Sequence, residues 1–323
     1  IRIIQNIHKA ATIRTSYASE EYITNGTTID RFSVNGQQQK WRDDPYNYTC
    51  ADVRLPQPLA PKQSIQFDIE WHYDASLQSG REGMIDSTTY YLAYSYPRVS
   101  VYDDYNGWDR VNFTDMQEFY SDFNDYTLTV HAPKNYIVWS TGVLQNPDEV
   151  LQPKYLQRFK NSMTGDEIIH VVSKNDIAAK DITVQKDMNT WKWKADNVPD
   201  VCFAVSDHFV WDASSVVVDD VANRRVSAQA AYNDTAWDFH YMVEYVKHSL
   251  KWLSANWPGV AYPYPAMTAF QGYADMEYPM MINDGATGDT IFTRFVAEHE
   301  IAHTWFPFYM GINESRYAFM DEG

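Results

Sequence analysis

The residues whose types and spacing could do chemistry lie near the end of the sequence, in the run Glu298-His299-Glu300-Ile301-Ala302-His303. Two residues four positions apart lie on the same face of a helix, so both imidazoles can reach one ion. Zinc suits two nitrogen ligands and a carboxylate, with one coordination position left for water. Glu300 directly follows the first histidine, so it can act on that water as a general base without ligating the metal. The run therefore predicts a helical zinc site equipped for hydrolysis.

A carboxylate ligand would complete such a site, and the sequence offers one in Met320-Asp321-Glu322-Gly323. Eighteen residues separate His303 from Glu322, which is enough for the end of one helix, a connection near Gly311 and the start of another helix. Glu322 is therefore the predicted third ligand, and the adjacent Asp321 would face another side. The competing interpretation of Glu322 is a solvated carboxylate at the start of a helix.

A further segment precedes the histidines and reads Gly272-Tyr273-Ala274-Asp275-Met276-Glu277-Tyr278-Pro279. Taken alone, it is typical of a strand or loop that ends at a proline. A single glutamate in such a segment is usually solvated, so the residues by themselves give Glu277 no role.

These motifs together resemble the aminopeptidase N and leukotriene-hydrolase family of zinc metallopeptidases, which belongs to the gluzincins. The resemblance rests on H-E-x-x-H, on the glutamate eighteen residues later, and on a segment similar to G-x-M-E-N about twenty residues upstream. It extends to Trp305-Phe306, to Thr190-Trp191-Lys192-Trp193 and to the run from Val198 to Ala204. It spans most of the chain, more loosely before residue 90.

The resemblance implies an enzyme that hydrolyses the first peptide bond of peptides with a free N-terminus. One zinc ion would be held by His299, His303 and Glu322, with Glu300 as the general base. The glutamate of the upstream family segment binds the α-amino group of the substrate, a role that maps to Glu277. A carboxylate that faces an ammonium in a closed cleft forms a strong charge-assisted bond, which only a free N-terminus can make.

The upstream segment also departs from the family pattern. Ala274 and Asp275 occupy its small or glycine positions, and Tyr278 replaces an asparagine. In the family this segment runs beside the substrate backbone, so Ala274 and Met276 are expected substrate contacts, while the preferred N-terminal residue stays open. The family also uses a tyrosine after the third ligand. No position here can match that tyrosine, so we expect an N-terminal fragment that is inactive by itself.

Two alternatives to an aminopeptidase remain open at this stage. The first is a gluzincin endopeptidase, which would cleave peptides with blocked and free N-termini equally. The second is a zinc-bearing binding or scaffold protein without turnover. The retained Glu300 argues against the second alternative, because a structural zinc site needs no base and usually closes its fourth position.

The elements that must position these residues fall into two regions. Up to about residue 210 the pattern is β-rich, as in the alternation from Ile65 to Tyr73. Afterwards the period lengthens: Asp234 can cap one helix, and a second helix should start near Asp289 or Thr290. We therefore predict an α+β protein with domains at 1–210 and 211–323. The resemblance implies a saddle-like antiparallel β domain, followed by the first part of a thermolysin-like catalytic domain.

Composition restricts the partners of the protein. With 26 Lys and Arg against 43 Asp and Glu, the net charge of −17 disfavours nucleic-acid binding and a polybasic membrane anchor. No apolar run approaches the length of a membrane span. Cys50 and Cys202 could form a disulfide, but the sequence allows two unpaired thiols equally well. The composition suits a secreted or periplasmic enzyme and leaves a cytoplasmic one open; the sequence gives no oligomeric state.

Overall fold

The computed structural model describes residues 2–4, 26–47, 49–77, 80–112, 118 and 120–323. Its strands, in chain order, are β1 Arg2–Ile4, β2 Thr28–Val34, β3 Gln37–Gln38, β4 Trp41–Asp43, β5 Cys50–Val53, β6 Phe67–His72, β7 Gly83–Asp86, β8 Thr89–Leu92, β9 Arg98–Val99, β10 Tyr102–Asp103, β11 Gly107–Trp108, β12 Asn124–Pro133, β13 Ile137–Ser140, β14 Val143–Leu144, β15 Ile169–Val172, β16 Met188–Val198, β17 Phe203–Ser206, β18 Val210–Asp219, β19 Arg224–Tyr232, β20 Ala266–Gly272, β21 Met276–Tyr278 and β22 Met281–Gly285.

The α-helices are α1 Pro147–Val150, α2 Pro153–Ser162, α3 Lys174–Ala179, α4 Met242–Ala255, α5 Thr290–Ala302, α6 Glu314–Tyr317 and α7 Phe319–Glu322, with a 3₁₀ turn at Trp237–Tyr241 and a π-type turn at Thr304–Tyr309. Antiparallel sheets dominate the first part of the chain, and the longer helices follow. The predicted α+β class is therefore confirmed. Within the described residues, no helix is both long and apolar enough to cross a membrane.

The chain forms two compact units. The first unit comprises the described residues within 1–77, 94–122 and 312–323, and the second those within 78–93 and 123–311. The domain boundary near residue 210 stays a prediction; β15, which precedes it, forms one sheet with β18–β22, which follow it.

The first unit contains a sheet of order β4-β5-β1-β9, a sheet of order β3-β2-β6 and the β10–β11 hairpin. Its apolar core is formed by buried residues of β2 and β5, with Phe32 and Val53 among the most buried. Trp41 of β4 packs against this core from the edge of the first sheet. Its neighbours on β4 are exposed, as expected for a strand with one solvated face.

The second unit is built on a six-stranded sheet of order β15-β18-β19-β20-β22-β21. The central strands β19, β20 and β22 run parallel, and β21 returns antiparallel to β22 at the edge. Parallel neighbours need a crossover connection, and α4 supplies the one between β19 and β20. The rings of Trp139 on β13 and Phe270 on β20 lie 5.6 Å apart, which packs the β13-β17-β8-β7 sheet onto the six-stranded one.

The helix expected after Asp234 begins later than the sequence suggests. The residues from Trp237 form a 3₁₀ turn, and α4 starts only at Met242, without Asp234 as its cap. Instead, the Asp234 carboxylate lies 2.8 Å from the ammonium of Lys174. The buried face of α4 carries Met242, Val246 and Leu250 at helical spacing, and Trp237 remains largely exposed.

Candidate metal centre

Helix α5, which carries the histidine motif, is fixed at its N-terminus by two carboxylates. Asp289, where the sequence predicts that the helix starts, is its N-cap and accepts hydrogen bonds from the backbone of Ile291 and Phe292 at 2.9 and 3.3 Å. Asp238, buried in the 3₁₀ turn before α4, accepts a hydrogen bond of 2.7 Å from the hydroxyl of Thr293. Asp238 also accepts the backbone N–H of Thr287 at 2.8 Å, so it holds the loop before the helix as well.

The two histidines of α5 converge. Their Nε2 atoms lie 3.2 Å apart, and their rings are nearly perpendicular, at 88°. His303 is 3% exposed, whereas His299 lies on the exposed side of the helix. The close approach of Nε2 atoms is what the four-residue spacing predicts for a shared ion.

The turn after α5 orients His303. Phe306 has extended backbone angles inside the π-type turn, so the helix does not continue regularly beyond His303. This places the Phe306 carbonyl oxygen 3.2 Å from Nδ1 of His303. With Nδ1–H donating to a backbone carbonyl, Nε2 is the acceptor nitrogen, which is the form of histidine that binds a metal.

Two buried carboxylates lie beside His303. Glu300 is 5% exposed and Glu277 on β21 is 4% exposed. Oxygens of both carboxylates and a ring nitrogen of His303 all lie within 4.8 Å of one another. Burial raises the pKa of Glu300, and the nearby charges of Asp284 and Glu277 act in the same direction. Glu300 Oε2 is buried with no hydrogen-bond partner in the described part of the chain.

The edge strand β21 brings Glu277 to this place. Glu277 stands opposite Ile282 of β22 in the antiparallel register. The next residue, Tyr278, donates its hydroxyl hydrogen bond to the carbonyl of Arg81, which ties the strand to the loop before β7. Asp275 accepts the backbone N–H of Gly285 at 2.8 Å and closes the turn that leads into β21. Asp275 and Tyr278, two of the three departures from the family pattern, therefore both hold this segment in place.

Several solved structures align with most of this chain. The M1 zinc metallopeptidase from Deinococcus radiodurans aligns with 92% of this chain and 58% of its own, with a TM-score of 0.54 and 14% identity. A mutant of the same protein, bound to a Tyr-Ser-Ala substrate, aligns over 92% and 59% with the same TM-score and identity. Aminopeptidase A from Legionella pneumophila, in complex with aspartic acid, aligns over 87% and 29%, with a TM-score of 0.53 and 12% identity.

The chain has the M1 zinc metallopeptidase fold. The resemblance predicted from the motifs is thus confirmed at the level of the fold, which is what a likeness at 14% identity establishes. The chain spans 58% of the length of the Deinococcus protein. No protein-family model and no curated protein matches it.

The remaining predicted site residues lie at the start of β21 and at the end of α7. Ala274 precedes β21 and is half-buried, and Met276 begins the strand and is buried. Glu322 ends α7, is exposed, and belongs to the first unit, whereas the two histidines belong to the second. Its place as the third ligand stays a prediction. Cys50 and Cys202 are both buried thiols, without a disulfide between them.

Sequence reasoning missed Asp284 in the M1 fold. This residue of β22 is 0% exposed, and neither carboxylate oxygen has a hydrogen-bond partner among the described residues. Burial raises the pKa of Asp284 well above its ordinary value, and the charge of Asp275 adds to the effect. In the sequence, Asn283-Asp284-Gly285 has the composition of a turn, so nothing local marked Asp284 as a buried neighbour of Glu300.

Proposed function

We propose that the protein is a zinc-dependent aminopeptidase that removes N-terminal residues from peptides. The observation that carries this proposal is the convergence of His299 and His303, with Nε2 atoms 3.2 Å apart, beside the buried carboxylates of Glu300 and Glu277. The M1 neighbours support a peptide substrate, since one binds a Tyr-Ser-Ala substrate and another is an aminopeptidase.

The donor set fits zinc. Two imidazole nitrogens, each 2.0–2.1 Å from a tetrahedral ion, would be about 3.3 Å apart, close to the spacing of the two Nε2 atoms. Glu322 is the proposed carboxylate ligand that completes the set with His299 and His303. When bound, zinc would polarise the scissile carbonyl and lower the pKa of a water molecule.

Glu300 is the proposed general base. Its carboxylate lies within 4.8 Å of a ring nitrogen of His303, so it can accept a proton from the attacking water. Burial raises the pKa of Glu300, and the positive charge of a bound zinc ion would act in the opposite direction, towards the ionised form that accepts a proton. The same group then donates the proton to the leaving amine, which is the other half of the hydrolysis.

Glu277 is the proposed anchor for the α-ammonium of the substrate. Its carboxylate is almost fully buried, and an ion pair in such a place is stronger than one in water. Because an internal residue of a peptide carries no ammonium at that position, this contact restricts cleavage to the N-terminal bond. Ala274 and Met276 flank Glu277 along the segment and are the proposed contacts for the substrate backbone.

The test compares an alanyl or leucyl p-nitroanilide with its N-acetylated counterpart, using the full-length protein loaded with one equivalent of zinc, because the 323-residue segment alone is expected to be inactive. We expect release of p-nitroaniline from the free amine and at least a hundredfold lower kcat/KM for the acetylated substrate. Cleavage of internal bonds in both free and acetylated peptides at equal rates would support an endopeptidase. Stoichiometric zinc binding without any turnover would support a binding or scaffold protein.

A further inference from the structure

The first unit carries a groove of 580 Å³ whose charge is opposite to that of the chain as a whole. Its lining includes the cations Lys40, Arg42, Arg54 and Arg110, against Asp52 as the acid. Across the chain, acidic residues outnumber basic ones by 43 to 26. From this composition, a surface groove is expected to carry more acidic than basic side chains. The excess of cations in this groove therefore suggests that they have a function there.

The β4–β5 ribbon brings cations of the groove to one end. Arg42 of β4 stands opposite Asp52 of β5, and their side chains lie 3.4 Å apart. Lys40 directly precedes β4 and Arg54 directly follows β5, so both leave the ribbon at the end where Trp41 stands opposite Val53. Like charges that lie near one another repel, and an anion bound between them would relieve this repulsion.

The cations that face the groove are largely without acidic partners. Lys40, Arg54 and Arg110 are exposed, and none of them forms an ion pair or a hydrogen bond with the described residues. Arg42 alone of the lining cations is paired, with Asp52. Three cations therefore remain to bind negative groups on a ligand.

The shape of the groove favours an extended peptide over a single small ion. A volume of 580 Å³ lies within the range of sites that enclose a ligand of several groups. Among the described strands, β4 is the edge strand of its sheet, and an edge strand can pair with an added strand. Trp108 forms another wall and is braced by Tyr102, with ring centroids 5.1 Å apart in an edge-to-face arrangement. An aromatic wall suits the apolar parts of side chains.

We propose that this groove binds an extended acidic peptide segment. Carboxylates of the peptide pair with Lys40, Arg54 and Arg110, and its backbone lies along the edge of β4. Guanidinium groups match carboxylates in geometry, so the two arginines contribute charge-assisted hydrogen bonds in addition to charge. This site is separate from the metal centre and does not depend on the proposed aminopeptidase activity.

The test measures fluorescence anisotropy of a hexaglutamate peptide labelled with fluorescein at its N-terminus. The label blocks the amine, so the peptide cannot bind as an aminopeptidase substrate would. The proteins compared are the full chain, Arg54→Glu, Arg110→Glu and the control Lys62→Glu. Lys62 is an exposed cation on a turn of the same unit, outside the groove, and its replacement changes the net charge equally.

We expect Arg54→Glu and Arg110→Glu each to weaken binding at least tenfold, and Lys62→Glu to change it less than twofold. A hexaglutamine peptide should bind at least tenfold more weakly than hexaglutamate. Circular dichroism confirms that each variant is folded. Absence of binding to the full chain, or an equal loss with Lys62→Glu, would overturn the proposal. Displacement of the peptide by citrate or inorganic phosphate at equal charge concentration would also overturn it, in favour of a small-anion site.

Discussion

The metal centre and the cationic groove use charge in opposite ways. At the candidate metal centre, Glu300, Glu277 and Asp284 are almost completely buried. The surrounding fold keeps these carboxylates close together although their negative charges repel one another. In the groove, Lys40, Arg54 and Arg110 repel one another in contact with solvent. A buried charge interacts strongly because little water screens it, whereas an exposed charge is weakened by both water and salt. Changes at the first site should therefore have large effects and changes at the second smaller ones.

The largest expected effect follows the replacement Glu300→Gln. Removal of a general base typically costs about 10²–10⁴-fold in rate, and we expect a loss of about 10³-fold in kcat with the zinc content unchanged. Zinc is measured by atomic emission and turnover with an aminoacyl p-nitroanilide. Glu298→Gln, at a more exposed carboxylate two residues before Glu300 on the same helix, is the control and should stay within twofold. Normal turnover in Glu300→Gln would remove the base from the proposed mechanism.

The next largest effect is expected for Glu277→Gln. A hydrogen bond to a charged group is worth about 1.5–3 kcal/mol, so kcat/KM on a substrate with a free N-terminus should fall by about 10–150-fold. The residual activity on an N-acetylated substrate should not change, because that substrate has no ammonium to bind. An equal loss on both substrates would show that Glu277 acts on the fold or on the metal and does not anchor an amine.

Salt should separate the two regions directly. Since the Debye length is about 10 Å at 0.1 M salt and about 3 Å at 1 M, hexaglutamate binding to the groove should weaken about tenfold between these concentrations. The kcat, which we expect to depend on the buried Glu300, should change less than twofold over the same range. Parallel anisotropy and turnover measurements in one salt series give this contrast. If peptide binding and kcat depended equally on salt, the difference in burial would not distinguish the groove from the candidate metal centre.

The smallest effect is expected for Tyr278→Phe. The change removes the hydrogen bond to the Arg81 carbonyl and leaves the ring in place, which should cost about 1 kcal/mol of unfolding free energy. Because this bond ties β21 to the loop before β7, we also expect a loss of a few-fold in kcat/KM. Urea denaturation and turnover assays measure the two effects. Tyr90→Phe, at a half-exposed tyrosine of the same unit, serves as the control.

Local patterns predicted the parts of the site that lie on one element. The four-residue spacing of His299 and His303 is a property of any helix, and Asp289 caps that helix as expected. The helix expected from Asp234 began later, because the preceding residues adopt a 3₁₀ turn and Asp234 pairs with Lys174. A capping pattern shows only that a side chain is able to cap a helix. The same carboxylate can instead form an ion pair with a residue far away in the sequence, as Asp234 does with Lys174.

The sequence by itself determined which residues of one helix come together: the histidine pair, the glutamate between them that is the proposed base, and the helix that carries all three. Only the tertiary structure decided which distant residues join them. Glu277 reaches His303 through the pairing of an edge strand, and Asp284 is buried beside Glu300 through the same sheet. Helical spacing is set by bonds between neighbouring turns, whereas strand register and burial depend on contacts between residues far apart in the chain. The pairing of Trp41 with Val53 likewise brings Lys40 and Arg54 to the same end of the β4–β5 ribbon.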